Sequence, residues 1–167
     1  LRLLDLGTGS GCLALTLLGE LPNARAVAVD RSPAALGVAA RNAARLGFAA
    51  RVSFVESDWG AAAEGPFDIV VGNPPYIRSA DIAGLMPEVS RHEPHLALDG
   101  GTDGLDAYRR IAQDLPRLMA DGALAAFEVG AGQADAVAAL LRAAGIPEVR
   151  RSLDLGGVER CLWGFST

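Results

Sequence analysis

The sequence predicts an α/β fold in which helices cover both faces of a mostly parallel sheet of seven strands. Three observations lead to this prediction. Short apolar runs alternate with segments of helical length, an order that is typical of parallel strands joined by right-handed crossovers. Glycines or acidic residues follow several of these runs. The last two runs are joined across Gly156-Gly157, which predicts an antiparallel hairpin at the end of the chain.

The composition favours a single globular domain over residues 1–167. Half of the residues are apolar and 21% are charged, which provides enough apolar surface for a core at this length. No apolar run approaches the length of a membrane span and no leader peptide is evident, so we expect no membrane association. A core strand starts at Leu1, which suggests that a segment preceding it is missing.

The charge balance is acidic, with 15 basic residues, all of them arginine, against 20 acidic residues. A nucleic-acid-binding protein usually presents a basic field, so nucleic acid is not expected as the main substrate. Cys12 and Cys161 are far apart and lack the spacing of metal ligands. We therefore expect buried free thiols in a reducing compartment, which favours a cytoplasmic location.

The first half of the chain contains four predicted strands, at 1–6, 25–29, 51–56 and 67–72. Each is a short, largely apolar run that ends at a glycine or a charged residue. Helices are predicted over 11–19 and 33–46. The second of these has clear ends, because Ser32-Pro33 supplies an N-cap and a first helical position, and Gly47 supplies a stop.

The second half begins with an irregular stretch at 77–104, which is long enough to suggest a functional loop. A helix follows from Leu105, and Pro116 should kink or split it because proline has no N–H to donate. The remaining predicted elements are a strand at 123–129, a helix at 133–144 and strands at 148–153 and 160–165.

A glycine-rich turn, Gly7-Thr8-Gly9-Ser10-Gly11, follows the first strand. It differs from the dinucleotide fingerprint, whose third glycine would fall at Cys12. Glycine still allows close approach of the backbone to a ligand, and the following helix N-terminus suits a carboxylate. Asp5 places negative charge where a cation belongs. A ligand with an amino group, a carboxylate and a sulfonium fits this pattern better than a pyrophosphate does.

Acidic residues also follow the second and third strands. Asp30 ends the second strand, where one carboxylate can accept both hydroxyl protons of a ribose. Asp58-Trp59 follows the third strand, where a carboxylate can accept from an adenine amine and an indole can pack on the ring. Each acid alone has a simpler explanation as a solvated loop residue. Their occurrence after consecutive strands, together with the glycines, favours a nucleoside site.

The fourth strand ends in Asn73-Pro74-Pro75-Tyr76. Two successive prolines end a strand and hold the residues before them out of the helical region. The side-chain carbonyl of Asn73 and the backbone carbonyl of Pro74 can then face one small volume, with Tyr76 as a wall. Two fixed acceptors suit a planar NH₂ group. The alternative is a rigid turn with an exposed amide and no chemical role.

These motifs together resemble those of Rossmann-like class I S-adenosylmethionine-dependent methyltransferases. More narrowly, the chain is similar to the HemK/PrmC family of protein-(glutamine-N5) methyltransferases, which modify peptide chain release factors. The resemblance covers nearly the whole chain, through LDLGTGSG, AVDRSPAALGVAARNAARLG, VSFVESDW, FDIVVGNPPYI and EVGAGQ. Its most specific part is Glu93 to Arg109, since NPPY also occurs in DNA adenine and some ribosomal RNA methyltransferases.

The resemblance implies S-adenosyl-L-methionine as cofactor, S-adenosyl-L-homocysteine as product, a release factor as protein partner and no metal. The implied cofactor-binding residues are Asp5, Gly7, Thr8, Gly9, Gly11, Asp30, Arg31, Asp58, Trp59 and Asn73. The implied substrate-binding residues are Asn73, Pro74, Pro75 and Tyr76, of which Asn73, Pro74 and Tyr76 are expected to be catalytic.

The sequence departs from the family in two places. The segment from Asp154 to Leu162 replaces a DLAGRDRVV-like run, so no role is transferred to it. The N-terminal helical domain of the bacterial members, which helps to grip the release factor, is also absent from these residues. This second departure leaves the identity of the protein partner open.

Two other functions remain open at this point. One is a nucleic-acid amine methyltransferase that uses the same NPPY geometry on adenine or guanine, and the other is a non-catalytic cofactor-binding scaffold. His92 and His95 are expected to be solvated loop residues near the substrate entrance rather than metal ligands. The loop also contains Glu88 and Glu93, which could fix its position, and Arg78 and Arg91, which could contact a substrate or lie in solvent.

Overall fold

The computed structural model describes residues 1–86 and 94–167 and contains one seven-stranded sheet. Its strands are β1 (Arg2–Leu6), β2 (Arg25–Asp30), β3 (Val52–Glu56), β4 (Phe67–Gly72), β5 (Met119–Glu128), β6 (Arg150–Leu153) and β7 (Glu159–Phe165). Its helices are α1 (Cys12–Glu20), α2 (Pro33–Arg45), α3 (His95–Leu98), α4 (Asp106–Leu118) and α5 (Ala134–Ala143). Short 3₁₀ helices cover Ala49–Arg51 and Ser79–Gly84.

The strand order is β3-β2-β1-β4-β5-β7-β6. The pairs among β1 to β5 are parallel, whereas β7 runs antiparallel to both β5 and β6. The chain steps outward from β1 to β3 and then returns to place β4 on the other side of β1. Ligands of open α/β sheets bind where the order reverses in this way, at the carboxyl ends of the strands. The predicted fold class is confirmed.

The core lies on both faces of the sheet, because successive strand residues point to opposite sides. On one face, Leu3 and Ala28 pack with apolar residues of α1 and α2, including Leu15 and Leu18. The opposite face carries a larger cluster that joins the sheet to α4 and α5. Its main members are Leu4, Leu6, Phe67, Val70, Tyr108, Ile111, Leu115, Phe127, Val137 and Leu141.

Three expectations about individual elements were wrong. Helix α4 is continuous across Pro116 and ends two residues later at Leu118, so the expected split of the helix does not occur. Strand β5 starts at Met119 rather than at 123, with an irregularity in its pairing to β4. The 77–104 stretch is not wholly irregular, since it contains a 3₁₀ helix and the single turn of α3.

The two thiols do not both lie in the core. Cys161 is half-buried, but Cys12 is exposed at the start of α1, so the expectation of two buried thiols was wrong. Both cysteines are free. No helix in the part of the chain that the structure describes is long and apolar enough to cross a membrane.

Candidate active site

A cavity of about 720 Å³ opens at the carboxyl edge of the sheet, beside β1, β2 and β4. Its volume lies within the range of roughly 300–1,000 Å³ that is usual for small-molecule sites. Eight residues assigned to the site from the sequence line it: Gly7, Gly9, Asp30, Arg31, Asp58, Trp59, Asn73 and Pro75. The strand register brings two of these residues together. Leu6 pairs with Gly72 in the sheet, so the residues that directly follow this pair, Gly7 and Asn73, are neighbours.

The glycine turn has a different geometry at each of its three glycines. Gly7 (φ +71°) faces the indole of Trp59, and a Cβ at this position would lie 3.2 Å from the ring. Gly9 (φ +57°) borders open space, which leaves room for a ligand against its backbone. A Cβ on Gly11 (φ +86°) would lie 3.1 Å from Leu15 Cδ1 and 3.2 Å from Ala39 Cβ. Gly11 thus allows close packing of α1 on α2 and does not line the cavity.

Asp5 is buried beneath this turn and does not line the cavity. Its Oδ2 accepts from Thr8 Oγ1 at 2.7 Å and from the Ala14 amide at 3.1 Å. Its Oδ1 is buried and has no partner among the described residues. Burial raises the pKa of this carboxyl to about 6, the two hydrogen bonds act in the opposite direction, and Asp30 adds a smaller upward effect.

The raised pKa of Asp5 predicts a pH-dependent stability. The folded-state value lies above the ordinary value of 3.8, so the stabilisation from protonated Asp5 is complete below about pH 4 and lost as the pH rises through about 6. Replacement by asparagine removes this titration. Relative to the wild type, Asp5→Asn should therefore gain about 2–3 kcal/mol in free energy of unfolding between about pH 4 and about pH 7. Urea denaturation of the ligand-free proteins at both pH values measures the difference.

The control for this measurement is Asp121→Asn, because Asp121 is exposed and forms no hydrogen bond or ion pair with a described residue. Its free energy of unfolding should follow that of the wild type at both pH values. A constant difference between the wild type and Asp5→Asn across the range would contradict the assigned titration.

Asp30 joins the glycine turn to the start of α2. Its Oδ2 accepts from the Gly9 amide at 2.8 Å, and its Oδ1 accepts from the Ser32 amide at 2.9 Å. Each carboxylate oxygen can accept more than one hydrogen bond. The side chain is therefore fixed in orientation by the backbone while it still has lone pairs for two hydroxyl groups of a ligand.

Asp58 and Trp59 form the side of the cavity that follows β3. Asp58 Oδ2 lies 2.5 Å from Arg110 Nη2, an ion pair that the sequence did not predict. Trp59 has a left-handed backbone conformation (φ +54°), which is unusual for a large residue. Its indole reaches Gly7 across the ends of β1 and β3. This conformation turns the ring toward the glycine turn, where a planar base could stack.

The proline corner, residues 73–76, follows β4 and borders the same cavity as Asp30. The side chain of Asn73 is exposed and makes no hydrogen bond to a described residue. Pro74 is buried, and its carbonyl accepts no hydrogen bond from the described part of the chain. Neither predicted acceptor is used by a described residue, but only Asn73 is among the residues that line the cavity. Pro75, rather than Pro74, contributes to the cavity lining.

Tyr76, the last residue of the corner, does not line the cavity and so does not form the wall that the sequence predicted. Its hydroxyl donates to Glu128 Oε1 at 3.3 Å, and burial together with the Glu128 charge raises the pKa of the phenol. Tyr108 donates to the backbone carbonyl of Glu128 at 2.7 Å, which ties α4 to the end of β5. Glu128 was not assigned from the sequence, although it opens the EVGAGQ run. The roles of Asp5, Thr8, Gly11, Pro74 and Tyr76 remain predictions.

A second wall of the cavity comes from residues 94–110, whose lining residues were not individually assigned, although the sequence predicted a functional loop over 77–104. It is attached to the chain after the proline corner, since Ile77 donates to the Leu98 carbonyl and Gly100 donates to the Ile77 carbonyl, at 3.1 and 2.8 Å. Its lining residues are Pro94, Leu96, Ala97, Asp99, Gly101, Asp106, Ala107 and Arg110. No local sequence pattern links this segment to the proline corner, because the segment follows the corner by some twenty residues and reaches the cavity only through folding.

The charges on the cavity wall are mainly negative. Four carboxylates border it, those of Asp30, Asp58, Asp99 and Asp106, against the guanidinium groups of Arg31 and Arg110. Hydrogen bonds from Ser79 and the Gly101 amide hold the pKa of Asp99 below its usual value, so this residue is charged at neutral pH. Such a wall attracts a cationic ligand and disfavours a polyphosphate.

Four residues of the sequence-based predictions, Glu88, Arg91, His92 and Glu93, lie outside the described residues. Arg78 is exposed and pairs with Asp81 at 2.7 Å. His95 is 3.8 Å from Asp99 through Nδ1. Within residues 1–86 and 94–167, no group of three His, Cys, Asp or Glu side chains is arranged to hold a metal ion. The prediction for His92 is therefore untested.

Comparison with known proteins gives consistent results. A family model described as "Methyltransferase small domain" matches residues 1–92. A release factor glutamine methyltransferase of Rhodospirillum rubrum is 53% identical over 161 residues, which are 96% of this chain and 50% of that protein. The chain thus spans about half the length of this curated relative. The resemblance stated from the sequence motifs is confirmed.

Solved structures share the fold at low sequence identity. A ribosomal protein L11 methylase from Lactobacillus delbrueckii subsp. bulgaricus has a TM-score of 0.72 and 17% identity, with 99% of this chain and 70% of that chain covered. The N-terminal domain of human METTL16 in complex with SAH has a TM-score of 0.65 and 18% identity, with 99% and 60% covered. These likenesses support the fold and carry no statement about the substrate.

Proposed function

We propose that this chain, which belongs to the methyltransferase small domain family, transfers a methyl group from S-adenosyl-L-methionine to the side-chain amide nitrogen of a protein glutamine. One observation carries the proposal. The Asn73 side chain, which has no hydrogen bond to a described residue, lines the same cavity as the glycine turn, at the ends of adjacent strands β4 and β1. An NH₂ group bound at Asn73 and a methyl donor bound at the glycine turn would therefore lie next to each other in this cavity.

The residues of the cavity fit this cofactor. Gly9 leaves open space against its backbone, Asp30 offers two oriented oxygens to a ribose, and the Trp59 ring offers a surface to adenine. The excess of carboxylates over guanidinium groups suits a sulfonium. When bound, the cofactor supplies an electrophilic methyl group. The human METTL16 domain that shares this fold was solved with SAH, the product of such a transfer.

The proline corner fits a primary amide. An amide nitrogen is a poor nucleophile, because its lone pair is delocalised into the carbonyl. Hydrogen bonds from its two protons to Asn73 and the Pro74 carbonyl favour loss of that conjugation and stabilise the positive charge that develops on nitrogen. The corner also orients the nitrogen at a fixed distance from the cofactor site. No base is needed before attack, because the proton of the methylated nitrogen is acidic and leaves to water.

The proposed acceptor protein is a peptide chain release factor. The Rhodospirillum rubrum relative is named a release factor glutamine methyltransferase and aligns over nearly the whole of this chain. The acidic charge balance also favours a protein over a phosphate backbone. Release factors act at the ribosome, so we place the activity in the cytoplasm.

The alternative is a nucleic-acid amine methyltransferase, because an exocyclic amine of adenine or guanine is also a planar NH₂. Such an enzyme needs a flipped or single-stranded base and a cationic docking surface. The carboxylate-rich wall of this cavity is unfavourable for the phosphates that flank a base. The non-catalytic scaffold has no specific support, since the Asn73 side chain lines the cavity and has no hydrogen bond to a described residue.

The function can be tested by incubating the protein with methyl-labelled S-adenosyl-L-methionine and separate protein and RNA fractions of a cell extract. We expect label in the protein fraction, in a band of the size of a release factor. Label in RNA that decreases steeply with salt would identify the nucleic-acid alternative. Absence of label from both fractions, with cofactor binding shown by calorimetry, would leave the scaffold.

A further inference from the structure

The side chain of Gln133 lies behind the proline corner and contacts three separate segments. Its Oε1 accepts from the Gly130 amide at 3.0 Å. Its Nε2 donates to the backbone carbonyls of Tyr76 and Gly104 at 2.9 and 3.3 Å. The orientation of the amide is unambiguous, because only the oxygen can accept from an N–H and only the nitrogen can donate to two carbonyls.

Glycines enclose the carbonyls at the back of the corner. A Cβ on Gly100 would lie 2.8 Å from the Pro75 carbonyl oxygen, and one on Gly130 would lie 3.0 Å from Tyr76 Cδ2. A Cβ on Gly104 would overlap both the Tyr76 carbonyl and Gln133 Nε2. Gly104 and Gly130 thus face Gln133 where a side chain would overlap it, so its contacts with the corner and the second wall are close and specific.

We infer that Gln133 is a positioning residue, which fixes the proline corner relative to the second wall of the cavity by donating to the Tyr76 and Gly104 carbonyls. The inference rests on the proposed function for its kinetic part. Gln133 touches neither the cavity nor the proposed reacting atoms, so it acts through residues 73–76. Because the two prolines are rigid, a shift at Tyr76 is transmitted to the Pro74 carbonyl and the Asn73 side chain.

Two variants distinguish the contact made by the side-chain oxygen of Gln133 from those made by its nitrogen. In Gln133→Ala all three contacts are lost. In Gln133→Glu the carboxylate retains the size and can still accept from Gly130, but it places lone pairs against the carbonyls of Tyr76 and Gly104. If Gln133 only capped the turn before α5, the second variant would behave as the wild type. The matched controls are Gln113→Ala and Gln113→Glu, since the side chain of Gln113 is exposed on α4 and makes no hydrogen bond to a described residue.

The kinetic experiment measures methyl transfer to the acceptor protein and the affinity for S-adenosyl-L-homocysteine. We expect kcat to fall by about 10- to 100-fold in both Gln133 variants, as for a small misplacement of a reacting group. Cofactor affinity should be retained, because the glycine turn and Asp30 are not in contact with Gln133. Wild-type kcat in Gln133→Glu would overturn the inference, as would a parallel loss of cofactor affinity in both variants.

Hydrogen exchange provides a readout that does not depend on activity. The amides of Ile77, Ser79 and Gly100 bond the chain after the corner to the second wall. They should exchange about tenfold faster in both Gln133 variants, and sheet amides such as that of Val27 should not change. If the wild type methylates no protein, the proposed function fails and exchange alone decides the inference. Unchanged exchange at these three amides, or faster exchange throughout the sheet, would overturn it.

Discussion

Methyl transfer by Asn73→Ala is expected to be slower than that of the wild type by a factor on the order of 10²–10³, with cofactor affinity little changed. The variant loses one of two acceptors that stabilise positive charge on the attacking amide nitrogen, and that charge develops only in the transition state. The side chain is exposed in the cavity and supports no other described residue, so the fold should not change. Single-turnover kinetics and calorimetric titration of S-adenosyl-L-homocysteine measure the two quantities.

The matched control for this variant is Asn23→Ala. Asn23 is also exposed and makes no side-chain hydrogen bond to a described residue, but it precedes β2 at the opposite edge of the sheet. Its kinetics should equal those of the wild type. If cofactor affinity fell in Asn73→Ala as far as the rate did, Asn73 would belong to the cofactor site and its role toward the acceptor amide would be wrong.

Asp30→Ala is expected to weaken S-adenosyl-L-homocysteine binding by a factor on the order of 10²–10³, because it removes two charge-assisted hydrogen bonds to a ribose. The variant also releases the Gly9 and Ser32 amides, which disorganises the turn that approaches the ligand. At saturating cofactor, the rate of methyl transfer should recover in large part. Titration calorimetry and the dependence of rate on cofactor concentration give both numbers.

Asp121→Ala serves as the control for charge, since Asp121 lies on β5 near its amino end, away from the cavity. It removes one carboxylate without removing a ligand contact. Cofactor affinity should stay at the wild-type value. An equal loss of affinity in the two variants would show that Asp30 acts through general electrostatics, and a loss of rate without a loss of affinity in Asp30→Ala would exclude its assignment to the ribose.

Much of the fold was predictable from local signals. Ser32 caps α2 with a hydrogen bond from the Ala35 amide at 3.2 Å, as the Ser-Pro pair indicated. The strands that line the site were found because their apolar runs end at glycine or acidic residues. Pro116 does not split α4 as expected, and the sequence did not show that this helix ends only two residues later, at Leu118.

The candidate site was predictable only in part, because its remaining contacts are set by tertiary packing. Asp5 precedes the glycine turn by two residues, which suggested a ligand contact, yet the alternation of β1 directs it under the turn. Arg110 meets Asp58 across the cavity, and Gln133 meets Tyr76 across fifty-seven residues of sequence. No short-range sequence pattern indicates either of these two contacts. The acceptor corner was easier to recognise, since its stiffness is encoded by two adjacent prolines.

In the proposed function, the proline corner presents a protein glutamine amide to a methyl donor in the adjoining cavity. The most direct test combines the purified protein, S-adenosyl-L-methionine and a purified release factor, followed by fragmentation mass spectrometry of the release factor. We expect one added methyl group, located on the side-chain amide of a glutamine and absent when Asn73→Ala replaces the wild type. A methyl group on any other side chain, or equal modification by Asn73→Ala, would contradict it.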